Sequence, residues 1–281
     1  MSFDLSTAVR QASGIIFDMD GTIALGDAAS GGHRALPCGI ETIAAVKAAG
    51  IPLRVFTNGT AKPPATYAAS LRAAGFDVAD HEMMTPSTSA ALWLKRQGLN
   101  RVRVLGNAGC AAPLAELGLE VIGPSEPASG VDAVYTGWHR EFAFPDLEAA
   151  CGDIWAGAKL VTASNVPFFA TASGRAIGAS FPINAMIRSL TAKRALVLGK
   201  PSRIAFAEAC RAMGLKPKDH PHMIIVGDDP ALEMRMANTV GAVSIGLTTG
   251  MLSRVMLSGL AAAERPDVLL DSLAPLLAAL N

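Results

Sequence analysis

Short aliphatic and β-branched runs recur along the chain: Gly14–Asp18, Leu53–Thr57, Val102–Leu105, Ala133–Tyr135, Leu160–Thr162, Ala195–Leu198, Met223–Val226 and Ala242–Ile245. Most end in Gly, Asp, Thr or Asn, and apolar, β-branched runs of this length predict strands. Between them lie helix-length segments over 40–49, 66–74, 87–97, 202–213 and 231–238. In the first, Ile40, Ile43, Ala44 and Lys47 fall at helical spacing. Gly50, Gly75, Gly98, Gly118 and Gly214 each follow an Ala/Leu-rich run, where a helix end favours a residue tolerant of positive φ. The alternation of strand and helix predicts an α/β fold with a largely parallel sheet. The Pro-rich stretch Gly123–Gly130 reads as a surface loop, and the apolar segment Val268–Leu280 as a docked helix with Pro275 near its start.

Composition sets the scale. At 281 residues the chain suits two domains, or one carrying a large insertion. Hydrophobic residues make up 51% and charged residues 17%, which excludes disorder. Twenty-four basic and twenty-four acidic side chains cancel, so no global field exists to gather nucleic acid or an anionic membrane surface. Cys38, Cys110, Cys151 and Cys210 form no C-x-x-C pair and read as reduced thiols. The N-terminal segment lacks a basic stretch followed by a long apolar one, and no apolar run is long enough for a bilayer, so a soluble cytoplasmic protein is expected.

The chemistry concentrates where strands end. The first run closes in Asp18-Met19-Asp20-Gly21-Thr22. If extended geometry persists to Asp20, both carboxylates point to one side and Met19 to the other. Ligands of parallel α/β sheets sit at these carboxyl ends. Thr57-Asn58-Gly59 follows the second run, Gly199-Lys200-Pro201 a later one, and Gly227-Asp228-Asp229 the run ending at Val226.

In this order the four motifs resemble the haloacid dehalogenase-like hydrolase superfamily. The long separation of Thr57 from Lys200 is similar to its subfamily IIA, which includes nitrophenyl, phosphoglycolate, pyridoxal phosphate and nucleotide phosphatases. The resemblance implies a doubly wound, Rossmann-like core over 1–84 and 181–281, with an inserted α/β cap over 85–180. It implies Asp18 as nucleophile, Asp20 as general acid and base, and Mg²⁺ held by Asp18, the Asp20 backbone carbonyl and Asp228. The family commonly carries a further Asp five residues after the first acid of its last motif. Here that position is Glu233 while Asp229 follows at once, so either side chain is a candidate to orient the metal's waters. Similar caps contact substrate through loops that correspond to Trp138, His139, Asn165 and Phe168, with Phe169 alongside. Both loops depart from the commoner pattern: Val166-Pro167 follows Asn165 without the usual acid, and His139 stands where an Asp is common.

The residue types support the same chemistry. A phosphate monoester dianion repels a carboxylate attacker unless positive charge and in-line geometry are supplied. Asp18 and Asp228 with backbone and water oxygens make a hard-oxygen set suited to Mg²⁺, and Lys200 adds a compact second cation. The Thr57 hydroxyl and backbone N–H groups at Asn58 and Gly59 are candidates to hold phosphoryl oxygens. The expected substrate is a small phosphorylated metabolite. A true haloacid dehalogenase is an alternative, although halide departure needs no proton and would leave Asp20 idle. A catalytically silent metabolite-binding protein is another. The cap or the C-terminal segment is expected to be available for a homodimer contact.

Overall fold

A computed structural model describes residues 3–27, 32–171 and 174–281. In chain order the first elements are α1 (Leu5–Arg10), β1 (Gly14–Phe17), β2 (Ala24–Asp27), β3 (Gly32–Ala35), α2 (Gly39–Ala48), β4 (Leu53–Phe56), α3 (Pro64–Ala73) and β5 (Met83–Met84). There follow α4 (Pro86–Arg96), β6 (Arg101–Leu105), α5 (Ala108–Glu116), β7 (Glu120–Ile122), β8 (Ala133–Thr136), α6 (Phe144–Trp155) and β9 (Lys159–Thr162). Next are β10 (Phe168–Thr171), β11 (Gly174–Ile177), α7 (Ser180–Thr191), β12 (Leu196–Val197) and α8 (Arg203–Ala212). Last come β13 (Met223–Gly227), α9 (Arg235–Val240), β14 (Val243–Leu247), β15 (Val268–Leu270) and α10 (Ala274–Leu280).

The chain divides into two compact units. The first comprises Met1–Thr57, Ala65–Met84 and Phe206–Asn281; the second comprises Asn58–Pro64 and Thr85–Ala205. Among the described residues the first unit holds a six-stranded sheet ordered β15-β14-β13-β1-β4-β5, all parallel. Its central strands are the most apolar ones: Ile15 stands opposite Ile224 and Phe17 opposite Val226, all buried. Helices cover a sheet that carries apolar side chains on both faces, which is why these strands read as unbroken hydrophobic runs. An antiparallel hairpin of β2 and β3 interrupts the pattern just after β1.

The second unit has its own five-stranded parallel sheet, ordered β12-β9-β8-β6-β7. Residues 181–205, expected with the core, group here: Ile183 and Ile187 of α7 pack with Leu147, Ile154 and Leu160, while β12 pairs with β9. One strand of this sheet carries a charge into the interior. Arg103 on β6 is 2% exposed; its Nε donates to Asp153 Oδ2 of α6 at 2.5 Å. Its Nη1 donates to the carbonyls of Gly123 and Glu126 at 2.8 Å and of Pro124 at 3.2 Å. The Pro-rich segment is thus a loop, as expected, and a buried guanidinium fastens its first turn.

Two local expectations need correction. The first strand stops at Phe17, and Met19 lies in a bend, so extended geometry does not persist to Asp20. The segment Val268–Leu280 is not one helix: Val268–Leu270 forms the edge strand β15 on β14, and only α10 is helical, with Pro275 in its first turn. A short Val/Leu run lacks the length that separates strand from helix. By contrast, glycines past helix ends take positive φ as expected, +71° at Gly98 and +77° at Gly214. Among the described residues no helix is long and apolar enough to cross a membrane.

The cysteines are free, and Cys110, Cys151 and Cys210 are buried. Burial pushes their thiols up, Cys210 to about 12, which suppresses the reactive thiolate. Titration of the native protein with dithiobisnitrobenzoate at pH 8 is therefore expected to give one fast equivalent, from half-buried Cys38, and four after denaturation. Two or more fast equivalents would contradict this packing.

Candidate active site

Three polar side chains end three adjacent strands of the first unit. Asp18 follows β1, Thr57 follows β4 and Asp228 follows β13, and these strands neighbour one another in the order β13-β1-β4. The shared register continues past the strands, since the Asp18 N–H donates to Val226 O at 2.9 Å and the Thr57 N–H to Met84 O at 3.2 Å. Neighbouring strands lie about 4.8 Å apart, so the three side chains emerge along one sheet edge. All are nearly buried: Asp18 is 8% exposed, Thr57 6% and Asp228 5%.

Two loops clasp the Asp228 carboxylate. The Met251 N–H donates to Oδ2 at 2.8 Å, and the Thr22 hydroxyl reaches Oδ1 at 3.5 Å. The Thr249 hydroxyl in turn donates to Gly21 O at 2.5 Å, joining the loops. Both loops need glycine at the approach: a Cβ on Gly250 would lie 1.9 Å from Asp228 Oδ2, and one on Gly21, where φ is +82°, would lie 2.6 Å from it. Sequence reasoning missed Thr249, Gly250 and Met251. The only signal was a glycine shortly after an apolar strand.

The acids of the last motif separate into different environments. The Asp229 carboxylate accepts from the Ala231 N–H at 2.7 Å and so caps the π-helical turn Pro230–Met234. Glu233 is 1% exposed and folds back to accept from the Asp229 N–H at 3.1 Å. Gly227 makes room for it, since a Cβ there would lie 2.2 Å from Glu233 Cγ. Asp20 is the exposed member of the first motif; its Oδ1 accepts from the Gly26 N–H at 3.2 Å. Among the described residues no group of three or more His, Cys, Asp or Glu side chains is arranged to hold a metal.

Within the second unit, Lys200 is 1% exposed and its backbone is held by one side chain. Asn58 Oδ1 accepts from the Lys200 N–H at 2.9 Å, and Asn58 Nδ2 donates to Lys200 O at 3.0 Å. Gly199 must be glycine, because a Cβ would fall 2.3 Å from Ala163 O. His139, expected at substrate, turns inward: its Nε2 lies 3.0 Å from Asp146 Oδ2, which also accepts from the Ala143 N–H at the start of α6. Trp138 is half-buried beneath Arg140, whose guanidinium carbon lies 5.6 Å from the ring centroid. Asn165 and Phe168 are exposed, Phe168 by 44%, while the Phe169 side chain lies outside the described residues.

Comparison with known proteins gives this geometry a context. The family described as haloacid dehalogenase-like hydrolase matches residues 15–120, and a second one, HAD-hydrolase-like, matches residues 197–276. The sugar-phosphatase AraL of Bacillus subtilis is 28% identical over 262 residues, covering 93% of this chain and 90% of its own. The crystal structure of a 4-nitrophenylphosphatase from Thermotoga maritima superposes with a TM-score of 0.83 at 25% identity, covering 98% of this chain and 99% of that one. A glycerol phosphate phosphatase from Mycobacterium tuberculosis, solved in complex with magnesium, shares the fold with a TM-score of 0.80 at 23% identity, covering 100% of this chain and 79% of that one. The ordered motifs, the parallel sheet that carries them and these likenesses place the chain among the haloacid dehalogenase-like hydrolases, in the subfamily IIA phosphatase branch.

Proposed function

We propose that the protein hydrolyses a small phosphate monoester in a magnesium-dependent reaction through an aspartyl-phosphate. The observation that carries this reading is the alignment of Asp18, Thr57 and Asp228 at the carboxyl ends of three adjacent strands. The donor set suits Mg²⁺ because it is all oxygen and places two nearly buried carboxylates one strand apart, where a hard dication offsets their repulsion. Asp18, Asp228 and the Asp20 backbone carbonyl would hold the ion, with water completing the shell. Glu233 is the better candidate for orienting those waters, since the Asp229 carboxylate already caps a turn. When bound, the metal polarises a phosphoryl oxygen and neutralises charge that develops during transfer.

The remaining steps belong to the chain. An Asp18 oxygen bonds to phosphorus as the ester oxygen departs, and Asp20 gives that oxygen its proton. Asp20 then takes a proton from the water that attacks the aspartyl-phosphate, releasing inorganic phosphate and restoring Asp18. The Thr57 hydroxyl donates to a phosphoryl oxygen. The backbone N–H groups of Asn58 and Gly59 and the Lys200 ammonium belong to the second unit and are the groups that the family likeness assigns to the remaining phosphoryl charge. The names of the relatives, which specify sugar, glycerol and nitrophenyl phosphates, support a small phosphorylated metabolite as substrate.

The test is release of p-nitrophenol from its phosphate with and without chelator. Turnover is expected with Mg²⁺, to be lost in EDTA and to return when Mg²⁺ is restored. Chelator-insensitive turnover, or silence across a panel of phosphorylated metabolites, would refute the reading; silence would favour a binding protein.

A further inference from the structure

We propose that His33 is a positioning residue for Asp20, fixing its carboxylate for proton transfer with the leaving oxygen; the inference rests on the phosphatase reading above. Asp20 lies beyond the end of β1 with its side chain 51% exposed, so packing alone does little to define its rotamer. The β2–β3 hairpin supplies that definition. Gly26 and His33 stand directly opposite each other in its antiparallel register. The Gly26 N–H donates to Asp20 Oδ1 at 3.2 Å, and His33 Nε2 lies 3.8 Å from the same oxygen. One cross-strand pair thus presents two nitrogens to one carboxylate oxygen.

The ring is itself held in place. Its side chain is only 6% exposed, and Nδ1 lies 2.8 Å from Ser70 Oγ. The Tyr67 ring, one turn earlier on α3, sits 6.3 Å away at a 55° tilt. When the Ser70 hydroxyl donates to Nδ1, the neutral imidazole carries its hydrogen on Nε2, the atom that faces Asp20. At 3.8 Å the contact is electrostatic rather than a hydrogen bond, and such contacts commonly tighten once substrate is bound. Contacts on Oδ1 from the hairpin side restrict the rotation of the carboxylate. The arrangement follows the general pattern of an acid–base group oriented by a third side chain.

The leaving group provides the test. A nitrophenolate departs without a proton, whereas an alkoxide needs one, and kcat/KM reports the step that expels it. Wild type, His33→Ala, His33→Gln, Ser70→Ala and Asp20→Asn would be compared on p-nitrophenyl phosphate and on an alkyl phosphate such as glycerol phosphate. His33→Ala is expected to lose on the order of tenfold more kcat/KM on the alkyl ester than on the aryl one, the same bias as Asp20→Asn. His33→Gln, which keeps an N–H donor, should recover part of it. Ser70→Ala should show a smaller bias of the same sign, and decides the matter if His33→Ala fails to fold. Equal losses on both esters, or none, in a series where Asp20→Asn is ester-selective would remove the role of His33 alone. A wild-type chain silent on both esters would overturn this inference together with the phosphatase reading.

Discussion

Asp18→Asn is expected to abolish turnover, with kcat down on the order of a thousandfold or more, while the fold persists. The side chain stands at the end of a fully buried strand, and asparagine occupies nearly the same volume there. What changes is the chemistry, since a neutral amide is a poor nucleophile toward phosphorus and a weaker ligand for a dication. Losing the nucleophile of a covalent mechanism costs far more than losing a positioning group. In metal-free buffer the variant should unfold no more readily than wild type, because one of two neighbouring buried carboxylates has been neutralised. The measurements are steady-state turnover of p-nitrophenyl phosphate and thermal unfolding in EDTA. A purified variant that retains a tenth of wild-type activity would eliminate the aspartyl-phosphate.

Arg103→Ala is expected to cost about 3–5 kcal/mol of stability, the range for breaking a buried ion pair from one side. The substitution strands the Asp153 carboxylate, whose side chain is 10% exposed, and withdraws the donor shared by the carbonyls of Gly123, Pro124 and Glu126. The loss should be read as a lower urea midpoint in the transition that reports on the second unit. Replacing the pair together, as Arg103→Met with Asp153→Leu, should recover much of the loss, because well-packed apolar groups often match a buried ion pair. A single-variant loss below about 1 kcal/mol would mean that water replaces the guanidinium without difficulty.

The parts of the molecule legible in the sequence are those whose physics lies in side-chain type. Ile15-Ile16-Phe17 and Ile224-Ile225-Val226 are apolar because both faces of their sheet are covered, and polar residues that close such runs mark the ligand-binding edge. Asp18, Thr57 and Asp228 stood out for that reason. The β2–β3 hairpin, Ala24–Asp27 with Gly32–Ala35, has no alternation to betray it, so His33 passed unnoticed. β12 is only two residues long, and Leu196 is 39% exposed, so its membership of a second sheet depends on pairing with β9 rather than on its own pattern. Apart from the Thr22 hydroxyl, the clasp on Asp228 is built from a backbone N–H and two missing Cβ atoms, which carry no hydrophobic or polar signature. The resemblance to family cap loops points His139 at substrate, whereas its partner Asp146 lies seven residues on and also caps a helix.

The excursion Asn58–Pro64 bears on how such proteins diversify. Asn107 Nδ2 donates to Ala61 O at 2.8 Å, and Gly109 packs so closely on this segment that a Cβ would lie 2.4 Å from Thr60 O. The second unit is therefore not a single cassette that recombination could lift out at two cuts. A chimera exchanging 85–205 with a relative inherits a foreign 58–64, unless that short piece travels too. Residues at the interface of those two stretches are consequently bound to drift as a set, whatever freedom the rest of the second unit enjoys.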